Sequence, residues 1–477
     1  MSHPVHPAFI GGKRVEVDRT VDVINPSSGE LLAVTVDCGP YEIDLAVQAA
    51  AAAQRAWKKV AVAERARLLR NVSVLILRDW DELAELECLQ TGKPLSQARR
   101  DTELTARYFD FYASAVETFY GTAFTLGERT QVVTTFEPHG VTAHIIPWNY
   151  PLQILGRSLA PALATGNCTV VKPAEEAPLT ALKLAELVLE AGLPEGAMNV
   201  VPGMGETAGA ALTAHPGISH ISFTGSVEVG RIIAHAAADL LIPATLELGG
   251  KSPNIVFADA DLDMAAPTIA NAILQMGGQT CSAGSRLLVE RSIHDDLVGR
   301  LQEIFAGVEI GSALEDPTLG PLISSNQRDR VLNYVEIGSS EGQLVCGGKR
   351  LSGGKFGQGY FVEPTILDGI SPESRVFQEE IFGPVLVVTP FDGVDEAIEF
   401  ANATNYALVA GVWTTNINTA QRMVREVISG QVFVNAYGAS GGVELPFGGF
   451  KESGYGREKG AEGLRGFVQI KTSVVVS

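Results

Sequence analysis

Apolar residues along this chain follow two different spacings, and the spacing predicts where helices and strands form. In residues 63–78 they recur at helical spacing, at Leu68, Leu69, Val72, Leu75 and Ile76. An alanine-rich stretch at 44–57 and a longer stretch at 94–119 predict two further helices. A short β-rich segment is predicted before them, so the first part of the chain is expected to be mainly helical.

From residue 140 onward, short apolar runs alternate with amphipathic stretches. The runs that predict strands are 141–146, 168–171, 198–201, 220–223 and 245–248, and the stretches that predict helices are 179–190, 207–213 and 227–238. The region from about 251 to 433 repeats the alternation, with strands at 254–257 and 286–289 and helices at 265–276 and 295–305. This order predicts an α/β fold with mostly parallel sheets, helices on both faces and ligands at the carboxyl ends of the strands.

Residues 121–138 interrupt this pattern. They are rich in Thr, Val and Phe around a polar turn at Gly127-Glu128, which predicts a β-hairpin. The chain ends in another strand-like run that begins at Phe467. A hairpin that leaves a helical region has exposed edges, so we expect it to need a partner.

The composition limits the classes of protein that the chain can be. At roughly 100–200 residues per domain, its 477 residues predict two to four domains. The 36 basic and 55 acidic residues give a net charge of −19, which argues against nucleic-acid binding because phosphate contacts need a basic surface. The start of the chain lacks the pattern of a signal peptide, and no apolar run reaches the roughly 18 residues of a membrane span. We therefore expect a cytoplasmic protein without nucleic-acid or membrane partners.

Cys281 is the cysteine whose sequence context suits chemistry. The chain has five cysteines and no CxxC spacing, so neither a disulfide framework nor a metal site is predicted. Cys281 lies between glycine-rich turns, after a predicted helix and before a predicted strand, where its thiol can face a cleft. A thiolate in that place is a nucleophile. The alternative is a small buried apolar residue, as we expect for the other four cysteines.

Glu247 and Asn149 are candidates for supporting roles. Glu247 ends an otherwise apolar strand and is followed closely by glycines, and a carboxylate in an apolar site has a raised pKa that suits a general base. The alternative is a helix cap or a surface carboxylate. Asn149 lies between two prolines at a strand end, where its amide can donate to a developing oxyanion; the alternative is a structural turn residue.

Two stretches indicate a nucleotide. The segment 203–209 has the glycine spacing GxGxxxG, one residue longer than the dinucleotide fingerprint. Lys172 and Glu175 follow a predicted strand, where an ammonium and a carboxylate can hold ribose hydroxyls. A carboxylate there repels a 2′-phosphate, which favours NAD over NADP.

Seven segments in order along the chain resemble those of the NAD(P)-dependent aldehyde dehydrogenase superfamily. They are PWNYP (147–151), VVKPAE (170–175), FTGSVEVG (223–230), LELGGKSPN (246–254), GQTCSAGSR (278–286), EEIFGPV (379–385) and PFGGFKESGYGREKG (446–460). The resemblance implies a Rossmann-type cofactor domain, an α/β catalytic domain and a small β oligomerisation element. It places the NAD-binding domain at 1–120 and 139–249, the catalytic domain at 250–450 and the oligomerisation element of a homodimer or homotetramer at 121–138 and 460–477.

The resemblance also implies roles for individual residues. Cys281 is the nucleophile that attacks an aldehyde, Asn149 with the backbone N–H of Cys281 forms the oxyanion hole, and Glu247 activates the water that hydrolyses the resulting thioester. The residues expected to contact NAD are Ile146, Trp148, Lys172, Glu175, Gly205, Gly225, Ser226, Leu248, Glu380 and Phe382.

Four positions depart from the common pattern or vary with substrate. Met276 stands five residues before the nucleophile, where the family usually has asparagine. Tyr150 resembles the aminoaldehyde branch, whereas Arg157 lies where semialdehyde-oxidising members carry an arginine for the substrate carboxylate. The alternative for Arg157 is a solvated or intersubunit ion pair. Residues 439–442, where many members have a bulky aromatic side chain, predict a roomy pocket.

Two other functions are weighed against hydrolytic oxidation. A CoA-acylating relative transfers the acyl group to a thiol, but that branch typically lacks the base that Glu247 would supply. A catalytically idle member would be a binding or structural protein, and the presence of Cys281, Glu247 and Asn149 argues against it. Tyr150 and Arg157 point to substrates of opposite charge, an aromatic or amino aldehyde and a semialdehyde acid.

Overall fold

The fold was examined in a computed structural model, which describes residues 4–438 and 442–477. The larger of its two main sheets has eight strands in the order Gly454–Tyr455, Ala244–Glu247, His220–Thr224, Val141–Ile146, Cys168–Pro173, Met198–Val200, Ala8–Ile10 and Lys13–Val15. The five central strands are parallel, and the two edges are antiparallel. The chain builds outward from Val141–Ile146 in one direction and then returns to the other side of it. This reversal is the switch point at which open α/β sheets bind ligands.

The second main sheet has seven strands. Their order is Gln343–Cys346, Thr365–Asp368, Val385–Phe391, Arg286–Glu290, Pro253–Val256, Val409–Trp413 and Gln431–Val434. Only the pairing of Gln343–Cys346 with Thr365–Asp368 is antiparallel. Two α/β sheets therefore carry the fold, as the alternation of strands and helices predicts.

A three-stranded sheet joins the predicted hairpin to the end of the chain. Ala123–Thr125 pairs with Thr130–Pro138, which pairs along its whole length with Val468–Val476. Smaller sheets are formed by Val5–His6, Glu30–Val36 and Thr20–Asn25, by Arg350–Leu351 with Phe361–Val362, and by Tyr406–Ala407 with Phe450–Lys451.

The helices cover both main sheets. They are Pro40–Trp57, Val62–Arg78, Trp80–Thr91, Leu95–Val116, Pro151–Ala164, Leu179–Glu190, Ala210–Thr213, Val227–Leu240, Leu262–Leu274, His294–Ala306, Ser325–Glu341, Arg375–Gln378, Gly393–Asn402, Ile417–Glu426 and Glu462–Arg465. Among the described residues, no helix combines the length and the apolar character that a bilayer crossing requires.

The structure differs from the prediction at three helices. Trp80–Thr91 is a helix that the apolar spacing did not predict. The helix predicted over 265–276 ends at Leu274, because Met276 and the next two glycines take positive φ angles that no α-helix allows. The helix predicted over 207–213 begins as a π-helical turn, Gly205–Gly209. A roomy pocket was predicted from residues 439–442, and of these 439–441 lie outside the described residues.

Candidate active site

A cavity of about 260 Å³ lies at the switch point of the larger sheet. Trp148 and Asn149 follow the central strand Val141–Ile146, and Gly225 and Ser226 follow its neighbour His220–Thr224; all four line the cavity. The carboxyl ends of two parallel strands that part in opposite directions leave room for a ligand between them.

Asn149 is fixed by two hydrogen bonds. Its Nδ2 donates to the carbonyl of Gln279 at 2.9 Å, and its Oδ1 accepts from the backbone N–H of Tyr150 at 3.1 Å. A side-chain amide has two N–H groups, so one remains for a ligand. Because Gln279 is two residues before Cys281, the same hydrogen bond ties Asn149 to the cysteine loop.

Cys281 reaches the cavity from the amino-terminal end of the second sheet. Its loop packs directly on Gly250, where a Cβ would lie 2.1 Å from the Cys281 carbonyl oxygen, so only glycine fits there. Burial raises the pKa of the Cys281 thiol to about 12, whereas the cations Arg157 and Lys459 act to lower it. The cysteine therefore rests as a thiol; the two cations favour its thiolate, and the carboxylates of Glu380 and Glu247 oppose it.

Glu247 ends the strand Ala244–Glu247 and lines the same cavity. Neither carboxylate oxygen has a hydrogen-bond partner within the described part of the chain. Burial raises the pKa of Glu247 well above its usual range, the carboxylate of Glu458 raises it further, and Arg157 opposes both. A buried carboxylate with free oxygens and a raised pKa suits a base that acts on water.

Glu380 and Phe382 form the other end of this cavity. Glu380 Oε1 accepts from the N–H of Gly250 at 2.8 Å, and a Cβ on Gly249 would lie 2.4 Å from Oε2, so the glycine pair lets the carboxylate approach the backbone. Burial raises the pKa of Glu380 to about 7. The Phe382 ring meets Trp148 edge-on, with centroids 5.4 Å apart.

Five predicted cofactor residues lie outside the lining of this cavity: Ile146, Lys172, Glu175, Gly205 and Leu248. Lys172 and Glu175 form an ion pair of 3.0 Å at the end of Cys168–Pro173, the strand beside Val141–Ile146. Ile146 and Leu248 are buried at the ends of their strands, and Gly205 begins the π-helical turn.

A second cavity, of about 250 Å³, shares Cys281 with the first. It contains both residues predicted to contact substrate, Tyr150 and Arg157. Arg157 forms a buried ion pair with Glu458 of the same chain, neither the solvated nor the intersubunit pair weighed for it. Tyr150 lies under the ammonium of Lys93, 4.4 Å from its ring centroid.

Several lining residues were not predicted. Gln327 and Arg330, three apart on one face of Ser325–Glu341, donate to the carbonyls of Phe382 and Glu380 at 2.7 Å. Two polar residues three apart lie on one face of a helix, so their spacing in the sequence could have indicated a shared contact. Lys459, which lines the second cavity, and Glu458, the ion-pair partner of Arg157, lie inside the quoted segment 446–460, but nothing local distinguishes them from surface charges.

Two parallel sheets that meet at a cavity lined by a cysteine, an amide and a carboxylate define an α/β enzyme of the dinucleotide-binding type. A model of the aldehyde dehydrogenase family matches residues 14–473, and the chain belongs to that family.

Solved structures agree with this assignment. A Burkholderia cenocepacia protein described as an aldehyde dehydrogenase is 47% identical, with 98% of this chain and 99% of that chain covered and a TM-score of 0.96. An NAD-dependent aldehyde dehydrogenase from Sinorhizobium meliloti is 38% identical (100% and 95% covered, TM-score 0.96). A variant of the P. syringae indole-3-acetaldehyde dehydrogenase AldA, solved with NAD+ and IAA, is 39% identical (100% and 97% covered, TM-score 0.96). The predicted family and fold class are thereby confirmed.

Proposed function

We propose that this protein oxidises an aldehyde to the carboxylic acid with NAD, through a thiohemiacetal and a thioester on Cys281, and that water activated by Glu247 hydrolyses the thioester. The observation that carries the proposal is the convergence of Cys281, Asn149 and Glu247, from three separate elements, on one cavity. Membership of the aldehyde dehydrogenase family and the NAD-bound relatives support it.

The residues around the first cavity fit a dinucleotide. Gly225 and Ser226 lead into the helix Val227–Leu240, whose first N–H groups favour a pyrophosphate. Glu380, held against Gly249, has a carboxylate that suits ribose hydroxyls, and Trp148 and Phe382 offer flat apolar surfaces. Lys172 and Glu175, which form an ion pair outside the lining of the cavity, would hold the adenosine ribose, and the Glu175 carboxylate would disfavour the 2′-phosphate of NADP. We assign Ile146, Leu248 and Gly205 to the same binding surface.

The chain's own groups perform the remaining work. The Cys281 thiol gives its proton to water and adds as the thiolate to the aldehyde carbonyl, and the free N–H of Asn149 with the Cys281 backbone N–H stabilises the oxyanion. Bound NAD would be the hydride acceptor. Glu247 then takes a proton from water, which attacks the thioester and releases the acid. The unpartnered carboxylate oxygens of Glu247 leave room for that water.

An absorbance screen tests this function. We expect NADH and carboxylic acid to form in equal amounts from members of a panel of aliphatic, aromatic, amino- and carboxy-aldehydes without CoA, and kcat/KM to be higher with NAD than with NADP. NADH and acyl-CoA that form only when CoA is supplied would establish the acylating alternative. NAD binding without NADH from any aldehyde would establish a catalytically idle member.

We propose that the three-stranded sheet joins copies of this chain into a homodimer or homotetramer. Its strand Val468–Val476 is an edge, and four of its apolar side chains are well exposed: Ile470 (65%), Val474 (58%), Val475 (59%) and Val476 (73%). A long exposed apolar edge strand favours pairing with another chain.

We also propose the predicted domain boundaries. The five free thiols support the predicted cytoplasmic location.

A charge on this sheet should separate the copies. We expect Val474→Asp to lower the mass measured by light scattering toward that of a single chain at micromolar concentration, because an uncompensated carboxylate would be buried at the interface. Val424→Asp, at an exposed valine of the helix Ile417–Glu426, serves as the control and should leave the mass unchanged. A monomeric parent protein, or equal masses for all three, would contradict the proposal.

A further inference from the structure

The charged groups deepest in the second cavity are already paired. Asp101 accepts from the buried ammonium of Lys93 at 2.5 Å, and Arg157 contacts Glu458. Arg157 is therefore compensated within the chain, and binding a substrate carboxylate would require it to share its charge. A cation with no such partner would be the better anchor for an anion.

Lys459 is a cation of that kind. Its side chain lines the second cavity, and its ammonium lies 5.1 Å from the centroid of the Phe447 ring. Within the ranges that the structure describes, it forms no ion pair and donates no hydrogen bond. Arg100, exposed at the rim of the same cavity, forms no ion pair there either. Within the described residues the cavity thus presents two cations without an ion-pair partner, in a chain whose net charge is −19; the carboxylates of Glu458 and Glu247 act on Lys459 without contacting it.

The backbone fixes where the Lys459 side chain points. Lys459 has φ +60°, a left-handed conformation that is strained for a residue with a side chain. Hydrogen bonds hold it on both sides: Glu458 N–H donates to the Phe447 carbonyl, and Gly460 N–H donates to the Val443 carbonyl, each at 2.8 Å. Strain of this kind persists only where the surroundings impose it, and it concentrates at functional sites.

The surroundings of Tyr150 oppose a cationic substrate. The Tyr150 ring is the aromatic surface that pointed to amino aldehydes, since an aromatic ring attracts a cation over its face. One cation, Lys93, already occupies that position at 4.4 Å. A substrate ammonium in this cavity would also face Lys459.

We propose that Lys459 binds an anionic group at the end of the substrate remote from the aldehyde, so that the preferred substrates are aldehydes that carry a carboxylate. The inference rests on the proposed function and names its substrate class. Cys281 is common to both cavities, so a substrate whose aldehyde reaches Cys281 from the second cavity extends its other end past Phe447 and Lys459. The partly buried ammonium gains a charge-assisted partner only when such a substrate is bound.

A different role for Lys459 would be to favour the Cys281 thiolate electrostatically. Burial raises the pKa of Cys281, and Lys459 acts to lower it. That effect would act on every aldehyde alike, because it concerns the nucleophile and not the substrate. Comparing substrates that differ only in the distal group separates the two roles.

The test measures kcat/KM for the semialdehydes of succinic, glutaric and adipic acid against butanal, pentanal and hexanal, which match them in chain length. We expect the parent enzyme to prefer the acids. Lys459→Met, which keeps the side-chain length, should lower the acid-to-neutral ratio by roughly 10–100-fold through KM, the loss expected for one charge-assisted hydrogen bond. Lys459→Arg should restore most of the ratio.

Lys349→Met is the matched control, since Lys349 is exposed and lines neither cavity. It changes the net charge equally and should leave the ratio unchanged. Lys459→Gln provides a second uncharged variant, and equal melting temperatures show that each variant is folded. A parent enzyme that prefers the neutral aldehydes, or a ratio that Lys459→Met leaves unchanged, would overturn the inference while the aldehyde dehydrogenase activity stands. NADH from neither series would also overturn the inference, whereas NADH from no aldehyde of the wider panel would overturn the proposed function itself.

Discussion

Cys281→Ala should abolish aldehyde oxidation, with kcat lower by on the order of 10⁴-fold or more, because no other group in the cavity can form the covalent intermediate. NAD should still bind, since the cysteine contributes one thiol to a surface formed mainly by Trp148, Ser226, Glu380 and Phe382. Quenching of tryptophan fluorescence reports that binding, because Trp148 lines the cavity.

Cys346→Ala is the matched control for this substitution. Cys346 is likewise a free, partly buried thiol, but it lies on the edge strand Gln343–Cys346 of the second sheet, away from the cavities. We expect its kcat to stay within about threefold of the parent, a range typical of changes outside a site. Near-parental turnover in Cys281→Ala would refute the assignment of the nucleophile.

Glu247→Gln should release one equivalent of NADH per active site and then slow by roughly 10²–10⁴-fold, the range that general-base catalysis contributes. The glutamine keeps the size of the side chain but cannot take a proton from water, so the thioester accumulates. In the parent enzyme, hydrolysis should speed up as pH rises through the elevated pKa of Glu247, because the base works only when deprotonated. The variant should lose that pH dependence.

Hydroxylamine supplies the control for the Glu247 variant. It cleaves thioesters without help from a base, but it also condenses with free aldehydes. Excess aldehyde is therefore removed after the burst, hydroxylamine is added and washed out, and a new dose of aldehyde should then give a second burst of NADH. Steady NADH formation at the parental rate in Glu247→Gln would show that another group activates the water. If no second burst appears, the variant was not held at a thioester after the first burst.

The main elements of the sheets were predictable because buried parallel strands are continuous apolar runs. Val141–Ile146 and the helix Leu179–Glu190 agree with the prediction to the residue. The helix Trp80–Thr91 was missed because it buries polar side chains, among them Glu87 and Gln90, so no apolar stripe marks it. These side chains have partners: Lys93, just after the helix, donates to Glu87, and Thr180, from another helix, accepts from Gln90.

The site was predictable only in part, for a related reason. Cys281, Glu247 and Asn149 lie in short glycine- or proline-bounded segments that carry their own signal. The ion pair between Arg157 and Glu458 joins residues far apart in the chain, and no local pattern announces it. The same separation hid Lys459, whose importance follows from the cavity it faces.

The end of the Leu262–Leu274 helix shows a third limit. Met276 has φ +50°, which propensity does not predict for methionine, and its N–H donates to Gln97 Oε1 at 2.9 Å. A tertiary contact therefore helps to set the turn that leads into the cysteine loop.

The thioester itself is the most direct test of this account. Glu247→Gln is mixed with NAD and a substrate found in the screen, quenched in acid after the burst, and analysed by intact mass spectrometry and peptide mapping. We expect one acyl group per chain, on the peptide that contains Cys281, and none when NAD is left out. An unmodified protein after a full burst of NADH, or an acyl group on any other residue, would contradict it.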